Sequence, residues 1–516
     1  MRNLKRISPI LALVVAVIVV GVAAAQVSYG QPFFTSYSVV NLSTTSSATI
    51  VVTYYNGTGA VAGTNTFPNV PAGGSVTILQ ATETTPSLPS GQYSAVLSSD
   101  QPIAAVVNQQ LGTLGSGNSV PPFSSYSGVS QGSTNVVVPT AMYNWYGYYT
   151  DLYVQNVGSG TASNIQIKYY PTSIGTCTVG ASGVTENVPS LAQYATVKVS
   201  QVSKTALGAP SVAGCTSYTG RFLGMALVTA DQPIAIVGNE NVQNKLFTFN
   251  AFNSTEAAPK VILPAYMKNY YGFYASLTVA NPDLVNTANV TLTYRSDANF
   301  SNPTNTTVTA NFAIPPGKSI NRYDGPSASP AQTDLAAQFG GASNKFFGSV
   351  VVDSDKPVVA FVNQESTLAA GNKAGAYNGM AASSGTQKIA VPLIQSAYYG
   401  FYTSLTIQTV DGTNATVRIT YTSDGQYSAK LNATKSYTLT TSGGFLNRYE
   451  GPTATASQAD ILYDPFWQVG SNRRFIGSAT VQVVSGPNIV AFVNSERGGA
   501  SSVDQQYTYN AFNITP

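Results

Sequence analysis

The sequence predicts an all-β protein, four tandem antiparallel Ig-like β-sandwich domains preceded by one N-terminal hydrophobic helix. Three observations carry that prediction. Beyond residue 25, apolar and polar residues alternate with strand period, and helical period is absent. Turn signals recur every ~8–15 residues. A short aromatic signature also returns three times with the same lead-in. It reads Pro139 then Tyr146-Gly147-Tyr148-Tyr149, Pro264 then Tyr271-Gly272-Phe273-Tyr274, and Pro392 then Tyr399-Gly400-Phe401-Tyr402. In each copy the glycine falls eight residues after the proline. Phe33-Phe34 is a degenerate fourth copy, so the chain reads as a repeat array.

In chain order, Arg2, Lys5 and Arg6 precede an apolar or small run from Ile10 to Ala25. Basic flank, apolar core and Ala23-Ala24-Ala25 describe a secretory signal peptide or a membrane anchor over residues 1–25. Lys5-Arg6-Ile7-Ser8-Pro9 also resembles the class III signals of archaeal pilin-like proteins, which implies cleavage after the basic residues and a retained apolar segment. Every reading places the rest of the chain outside the cell.

The first repeat, 26–132, holds alternating strands around Tyr37/Val39 and Ile50/Val52/Tyr54, with the turn Asn56-Gly57. Asp100-Gln101-Pro102-Ile103 then starts a strand ending at Asn108. Repeats two (133–256), three (257–386) and four (387–516) replay this order. Their second strands are Ile165/Ile167/Tyr169, Val290/Leu292/Tyr294 and Val417/Ile419/Tyr421. Proline-started strands run from Pro233 to Asn239, Pro357 to Asn363 and Pro487 to Asn494, the last with one extra residue, read as a bulge. An aromatic-apolar-Gly element precedes each, at Phe222, Phe346 and Phe475. Each later repeat closes on an aromatic-Asn pair, Phe249-Asn250, Tyr377-Asn378 or Tyr509-Asn510.

The strand Leu152 to Gly158 followed by Ala162 to Tyr170 resembles CARDB-like and related Ig-like surface modules. Pro-Ala-Gly-Gly-Ser at 71–75 and Asp-Gln-Pro-Ile at 100–103 and 231–234 are similar to repeats of secreted prokaryotic tandem-sandwich proteins. The resemblance spans residues 26–516 and implies fold and location; its motifs are turns and strand starts, so it implies no activity.

Composition narrows function. Only 9% of residues are charged, against roughly 25% in ordinary soluble domains. With 43% apolar residues the chain is expected to fold, and its surface is wetted by hydroxyls and amides. Net charge is +3 without a basic cluster, which gives no reason to expect nucleic acid. The chain has no histidine, hence no Ser-His or Cys-His nucleophile and no imidazole ligand. No catalytic, cofactor-binding or metal-binding residue is therefore assigned, and a non-enzyme is expected. Cys177 and Cys215 both fall in the second repeat and are expected to form a disulfide.

Parity assigns the signature aromatics: Tyr148, Phe273 and Phe401 to the cores, with Tyr149, Tyr274 and Tyr402 outward as candidate surface-binding residues or interdomain packing. Strand-end Asn108, Asn239, Asn363 and Asn494 are expected to bond an adjoining turn. In repeats three and four, Lys260 with Asn363 and Glu365, and Lys388 with Asn494 and Glu496, are candidates for an intramolecular isopeptide bond. The Asn-Arg-Tyr-acid elements at Asn321 and Asn447 are expected to hold a loop through an Arg–carboxylate pair. The resulting expectation is an extracellular rod, structural or adhesive, that contributes to a cell envelope, filament or attachment. Its partners would be other surface proteins, glycans or further copies, with the membrane met only through the N-terminal segment. Glycan binding through the repeated tyrosines is the alternative.

Overall fold

The structure, a computed structural model, describes residues 15–19, 33–80, 86–111, 122–173, 184–209, 219–242, 245–341, 343–366, 373–497 and 506–514. The expected Cys177–Cys215 disulfide lies outside the described residues.

The chain is all-β, and the described residues of each repeat hold eight principal strand segments, numbered β1–β8, with a further two-residue strand beside β1 in repeats two, three and four. In the fourth repeat they are β1 Lys388–Ser396, β2 Phe401–Thr409, β3 Thr416–Ser423, β4 Thr434–Thr440, β5 Phe445–Tyr449, β6 Phe475–Ser485, β7 Ile489–Arg497 and β8 Gln506–Asn510. One sheet has the order β1-β6-β3-β4 and the other β5-β2-β7-β8, and all four repeats share this order. In repeats two and three, β6 and β7 are one continuous strand, Phe222–Val242 and Phe346–Ser366, that passes from one sheet to the other.

The sandwich is thus present, but its connectivity differs from the immunoglobulin order of ABED facing CFG. Here β1 and β2 lie in opposite sheets, and the crossing from β6 to β7 falls at Pro102, Pro233, Pro357 and Pro487. Proline has no N–H for a ladder, so the chain leaves one sheet there and joins the other. The extra residue between Pro487 and Asn494 is not a bulge: β7 keeps an unbroken register with β2 and β8, and the register shift of this repeat lies earlier, on β6 between Val483 and Ser485.

Burial follows period two. In the fourth repeat Val417, Ile419 and Tyr421 of β3 pack with Trp467, Phe475 and Val481 in one core. The outward positions of β3 and β4 carry hydroxyls, among them Thr420 Oγ1 and Ser436 Oγ at 2.8 Å. The aromatic-apolar-Gly element has a steric cause. A Cβ at Gly224, Gly348 or Gly477 would lie 2.0–2.1 Å from the carbonyl oxygen of Tyr170, Arg295 or Thr422 on β3.

The expected rod is not what forms: the repeats close into a ring. The four β8 strands, Phe123–Ser127, Lys245–Asn250, Ala374–Asn378 and Gln506–Asn510, adjoin one another in cyclic order, the fourth meeting the first. Each repeat also plugs its predecessor with one β7 residue. Val237 joins the core of repeat one, Phe361 that of two, Phe492 that of three and Val106 that of four. Hydrogen bonds follow the same cycle. Asn250 Nδ2 donates to Ser127 O (2.7 Å), Asn378 Nδ2 to Asn250 O (2.8 Å), Asn510 Nδ2 to Asn378 O (2.7 Å) and Ser127 Oγ to Asn510 O (3.1 Å). Sequence period reveals that units repeat, whereas the arrangement of the units is set by these lateral contacts.

The described part of the N-terminal segment is not helical. Val15–Val19 is a strand paired antiparallel with Tyr93–Ser99, Val15 opposite Ser99 and Val19 opposite Ala95. It fills the β1 place of repeat one. Its β-branched residues suit a strand, and Tyr93–Ser99 offers a free edge beside it.

Candidate functional site

The loop joining β1 to β2 holds a two-residue hairpin turn closed by an isolated bridge in repeats two, three and four. Trp145 and Tyr148 exchange main-chain hydrogen bonds of 3.0 and 2.9 Å, and Tyr270/Phe273 and Tyr398/Phe401 do the same. Closing such a tight turn with the twist of its strands requires positive φ at both central residues. Those residues are Tyr146-Gly147 (φ 51 and 87), Tyr271-Gly272 (48 and 81) and Tyr399-Gly400 (48 and 84). Glycine meets the requirement freely. A bulky tyrosine does so under strain, where asparagine or glycine would be relaxed.

These strained tyrosines are also exposed: Tyr146 at 62%, Tyr271 at 67% and Tyr399 at 64%. Each stands edge-on to the aromatic before it, with centroids 5.3, 4.9 and 4.9 Å apart. Each also carries a cation on its ring. Arg221 sits 4.6 Å from Tyr146, Lys345 4.6 Å from Tyr271 and Arg474 5.3 Å from Tyr399, with Arg474 Nη1 donating to the Tyr399 hydroxyl at 3.3 Å. The same three-part cluster, exposed tyrosine, buttressing aromatic and stacked cation, therefore stands on the surface three times. The corresponding loop of repeat one lies outside the described residues.

The expected outward tyrosines are displaced from this role. Tyr149, Tyr274 and Tyr402 are half-buried. Tyr149 meets Tyr143 edge-on at 5.8 Å, Tyr274 donates to Asn269 Oδ1 at 3.4 Å, and Tyr402 packs beside Ala454, Ala459 and Leu462. Nor are Tyr148, Phe273 and Phe401 simple core residues. They sit half-buried where repeats meet: Tyr148 donates to Glu365 Oε2 at 3.3 Å, Phe273 packs in a cluster with Phe445 of repeat four, and Phe401 packs on Phe123 at 5.6 Å. Parity along one strand sees neither the hairpin tip nor a neighbouring repeat. The basic residue directly before Phe222, Phe346 and Phe475 was a readable signal for the exposed cluster.

The isopeptide candidates are not brought together. Lys260 lies opposite Asp353 in one sheet, while Asn363 lies opposite Ser276 in the other. Lys388 and Asn494 are likewise in different sheets, opposite Gln482 and Ser404. The carboxylates are engaged elsewhere, Glu365 with Lys245 at 2.6 Å and Glu496 with Lys373 at 2.5 Å, each pair joining consecutive repeats. Two of the strand-end asparagines reach across seams rather than into turns, while Asn108 Nδ2 meets Ser36 Oγ of its own repeat at 3.5 Å. Asn239 Nδ2 donates to Gln109 Oε1 at 3.0 Å and Asn363 Nδ2 to Glu240 Oε2 at 2.7 Å. Burial raises the Glu240 carboxyl to about 7, against the pull of its hydrogen bonds, among them that from Asn363.

The Arg–carboxylate pair of the Asn-Arg-Tyr-acid element is present, but with a later acid. Arg322 meets Asp334 and Arg448 meets Asp460, both at 2.6 Å. The acid within the motif serves the loop directly: Glu450 accepts main-chain N–H bonds from Asp460, Ile461 and Leu462 at 2.7, 3.0 and 2.8 Å.

Fold and site together define an all-β protein whose four sandwich repeats form a ring bearing repeated aromatic hairpins. No family model and no curated protein matches the chain. A solved structure, the crystal structure of Thermotoga maritima 1070, is similar over 24% of this chain and 95% of its own, at 19% identity and a TM-score of 0.18. That likeness is too slight to carry an argument.

Proposed function

We propose that this is a non-enzymatic extracellular protein, structural or adhesive, whose ring of β-sandwiches holds tyrosine-tipped hairpins against a partner on the cell surface. The observation that carries the reading is the threefold recurrence of Tyr146, Tyr271 and Tyr399 in strained, exposed positions with a cation on each ring. Strain held at the same exposed surface point in three repeats favours a role in contact. An exposed aromatic face beside a guanidinium or ammonium suits a sugar, whose apolar face stacks on the ring while its hydroxyls accept from the cation. Three weak contacts held rigidly in one ring add by effective concentration. The sequence supports the location through the export-signal pattern and the hydroxyl- and amide-rich surface.

The test is a glycan array and whole-cell binding with the wild type and a Tyr146→Ala/Tyr271→Ala/Tyr399→Ala variant. Binding that falls at least tenfold in the triple variant, with an unchanged circular dichroism spectrum, supports the reading. Equal binding by both proteins overturns it.

A further inference from the structure

Each exposed tyrosine shares its hairpin with a cation whose charge the protein leaves uncompensated. Arg221, Lys345 and Arg474 stand on the rings of Tyr146, Tyr271 and Tyr399, and none of them enters an ion pair among the described residues. The acids whose fields reach the buttressing aromatics are engaged elsewhere. Asp297 and Glu496 act on Tyr270, and Asp424 acts on Tyr398. Asp297 accepts from the main-chain N–H groups of Asn299 and Phe300 at 2.6 and 2.8 Å, and Asp424 from those of Tyr427 and Ser428 at 3.0 and 2.9 Å. Glu496 is paired with Lys373. In repeat four a second cation stands close by, since a Cβ at Gly400 would lie 3.3 Å from the Arg497 side chain.

The fold fixes each cation in its place. In repeats two and three the hairpin's own asparagine clamps the residue before the cation: Asn144 Nδ2 donates to Gly220 O at 3.2 Å, and Asn269 Nδ2 to Asn344 O at 3.0 Å. Repeat four has Ala397 in that position, and there Arg474 Nη1 donates to the Tyr399 hydroxyl instead. Two different means thus bring a cation to the same exposed ring. A neutral sugar offers that cation only hydroxyl oxygens. A carboxylate offers a charge-assisted bond about twice as strong, and it meets a guanidinium through two parallel bonds.

We propose that the tyrosine hairpins bind an acidic polysaccharide, with a sugar ring on the tyrosine and its carboxylate on Arg221, Lys345 or Arg474. This rests on the sugar-binding reading of the hairpins and adds the charge of the ligand. Each repeat presents the same atoms to the same neighbour around the cycle, so the three hairpins stand at one end of the ring. A polymer of acidic sugars can therefore meet more than one of them, and its contacts add by effective concentration.

The test compares polygalacturonate with the same polymer fully methyl-esterified, which keeps the sugar rings and removes the charge. The full chain is expected to bind the acidic form roughly tenfold more tightly at low salt, with the difference shrinking at high salt. An Arg221→Gln/Lys345→Gln/Arg474→Gln variant with an unchanged circular dichroism spectrum should bind both forms alike. Arg221→Lys/Arg474→Lys should retain a preference, because the charge remains. Equal binding of the two forms by the wild type overturns the proposal without requiring any variant to fold. If the Tyr146→Ala/Tyr271→Ala/Tyr399→Ala variant then loses both, sugar contact stands and only its charge is refuted. A preference that survives the glutamine variant overturns the proposal, and so does binding to neither form, whether or not dextran sulfate is bound.

Discussion

Phe492 of the fourth repeat stacks on Tyr377 of the third, with ring centroids 4.1 Å apart and planes tilted by 39°. Phe492 is fully buried within the third repeat's core cluster, so one side chain is shared by two sandwiches. Phe492→Ala is expected to cost about 3–5 kcal/mol, the usual range for a buried aromatic. Because the residue belongs to a seam, the loss should also separate the melting of the repeats. Calorimetry checks both: a lower main transition accompanied by a new, earlier one, against a single transition in the wild type.

Glu240 gives the fold a pH dependence with a definite sign. Its folded value of about 7 stands above the ordinary 4.5. Between those values the folded protein holds a proton that the unfolded chain has released, so stability falls as pH rises through the window and is lowest above it. Glu240→Gln keeps an oxygen for Asn363 Nδ2 and removes the titration. It is expected to gain on the order of 2–3 kcal/mol at pH 8 and little at pH 4. Some slope should remain, because burial also raises Glu450 to about 7. Urea midpoints of the two proteins across pH 4–8 make the comparison.

Arg448 and Asp460 form an ion pair with both side chains less than a tenth exposed. Arg448 Nη1 also donates to Ser457 O at 2.6 Å, and Tyr421 donates to Asp460 Oδ2 at 2.8 Å. Arg448→Ala would strand the carboxylate in the core, at a cost of about 3–5 kcal/mol. Arg448→Ala/Asp460→Asn should recover part of that loss, since the stranded charge is then removed. Chemical denaturation of the two variants measures the difference.

Removing residues 1–25 is expected to uncover an edge. Tyr93–Ser99 would then pair only with Ala48–Asn56, leaving the side now met by Val15–Val19 open. Open edges exchange their amides and invite pairing between molecules. Hydrogen exchange should show protection lost selectively along 95–99, and sedimentation should show self-association that the full chain lacks.

Much of the architecture could be read from the residues. Alternation at Val417, Ile419 and Tyr421 gave β3, the asparagine-ended strands gave β7, and the aromatic-Asn pairs marked β8. The ring could not be read, because its evidence is lateral. Val106, Val237, Phe361 and Phe492 look like ordinary strand residues, and only the structure shows that each one enters the preceding repeat. The exposed tyrosines escape strand parity for a related reason. A period-two count places Tyr149, Tyr274 and Tyr402 outward along the strand. The positive φ of Tyr146, Tyr271 and Tyr399 belongs to the hairpin, where strand parity does not apply.

Joining the ring into one polypeptide also frees its seams from identity. Four separate chains meeting on a fourfold axis would have to place any residue there four times over. In this chain the position of Glu240 is occupied by Gln109, Gln364 and Ser495 in the other repeats, so a single ionisable group can stand at one seam without facing three copies of itself. A homotetramer bearing the same glutamate would bury a titrating carboxyl at every seam. Covalent linkage thus lets mutation act on one quadrant at a time, and an asymmetric chemical property can arise within a nearly symmetric frame.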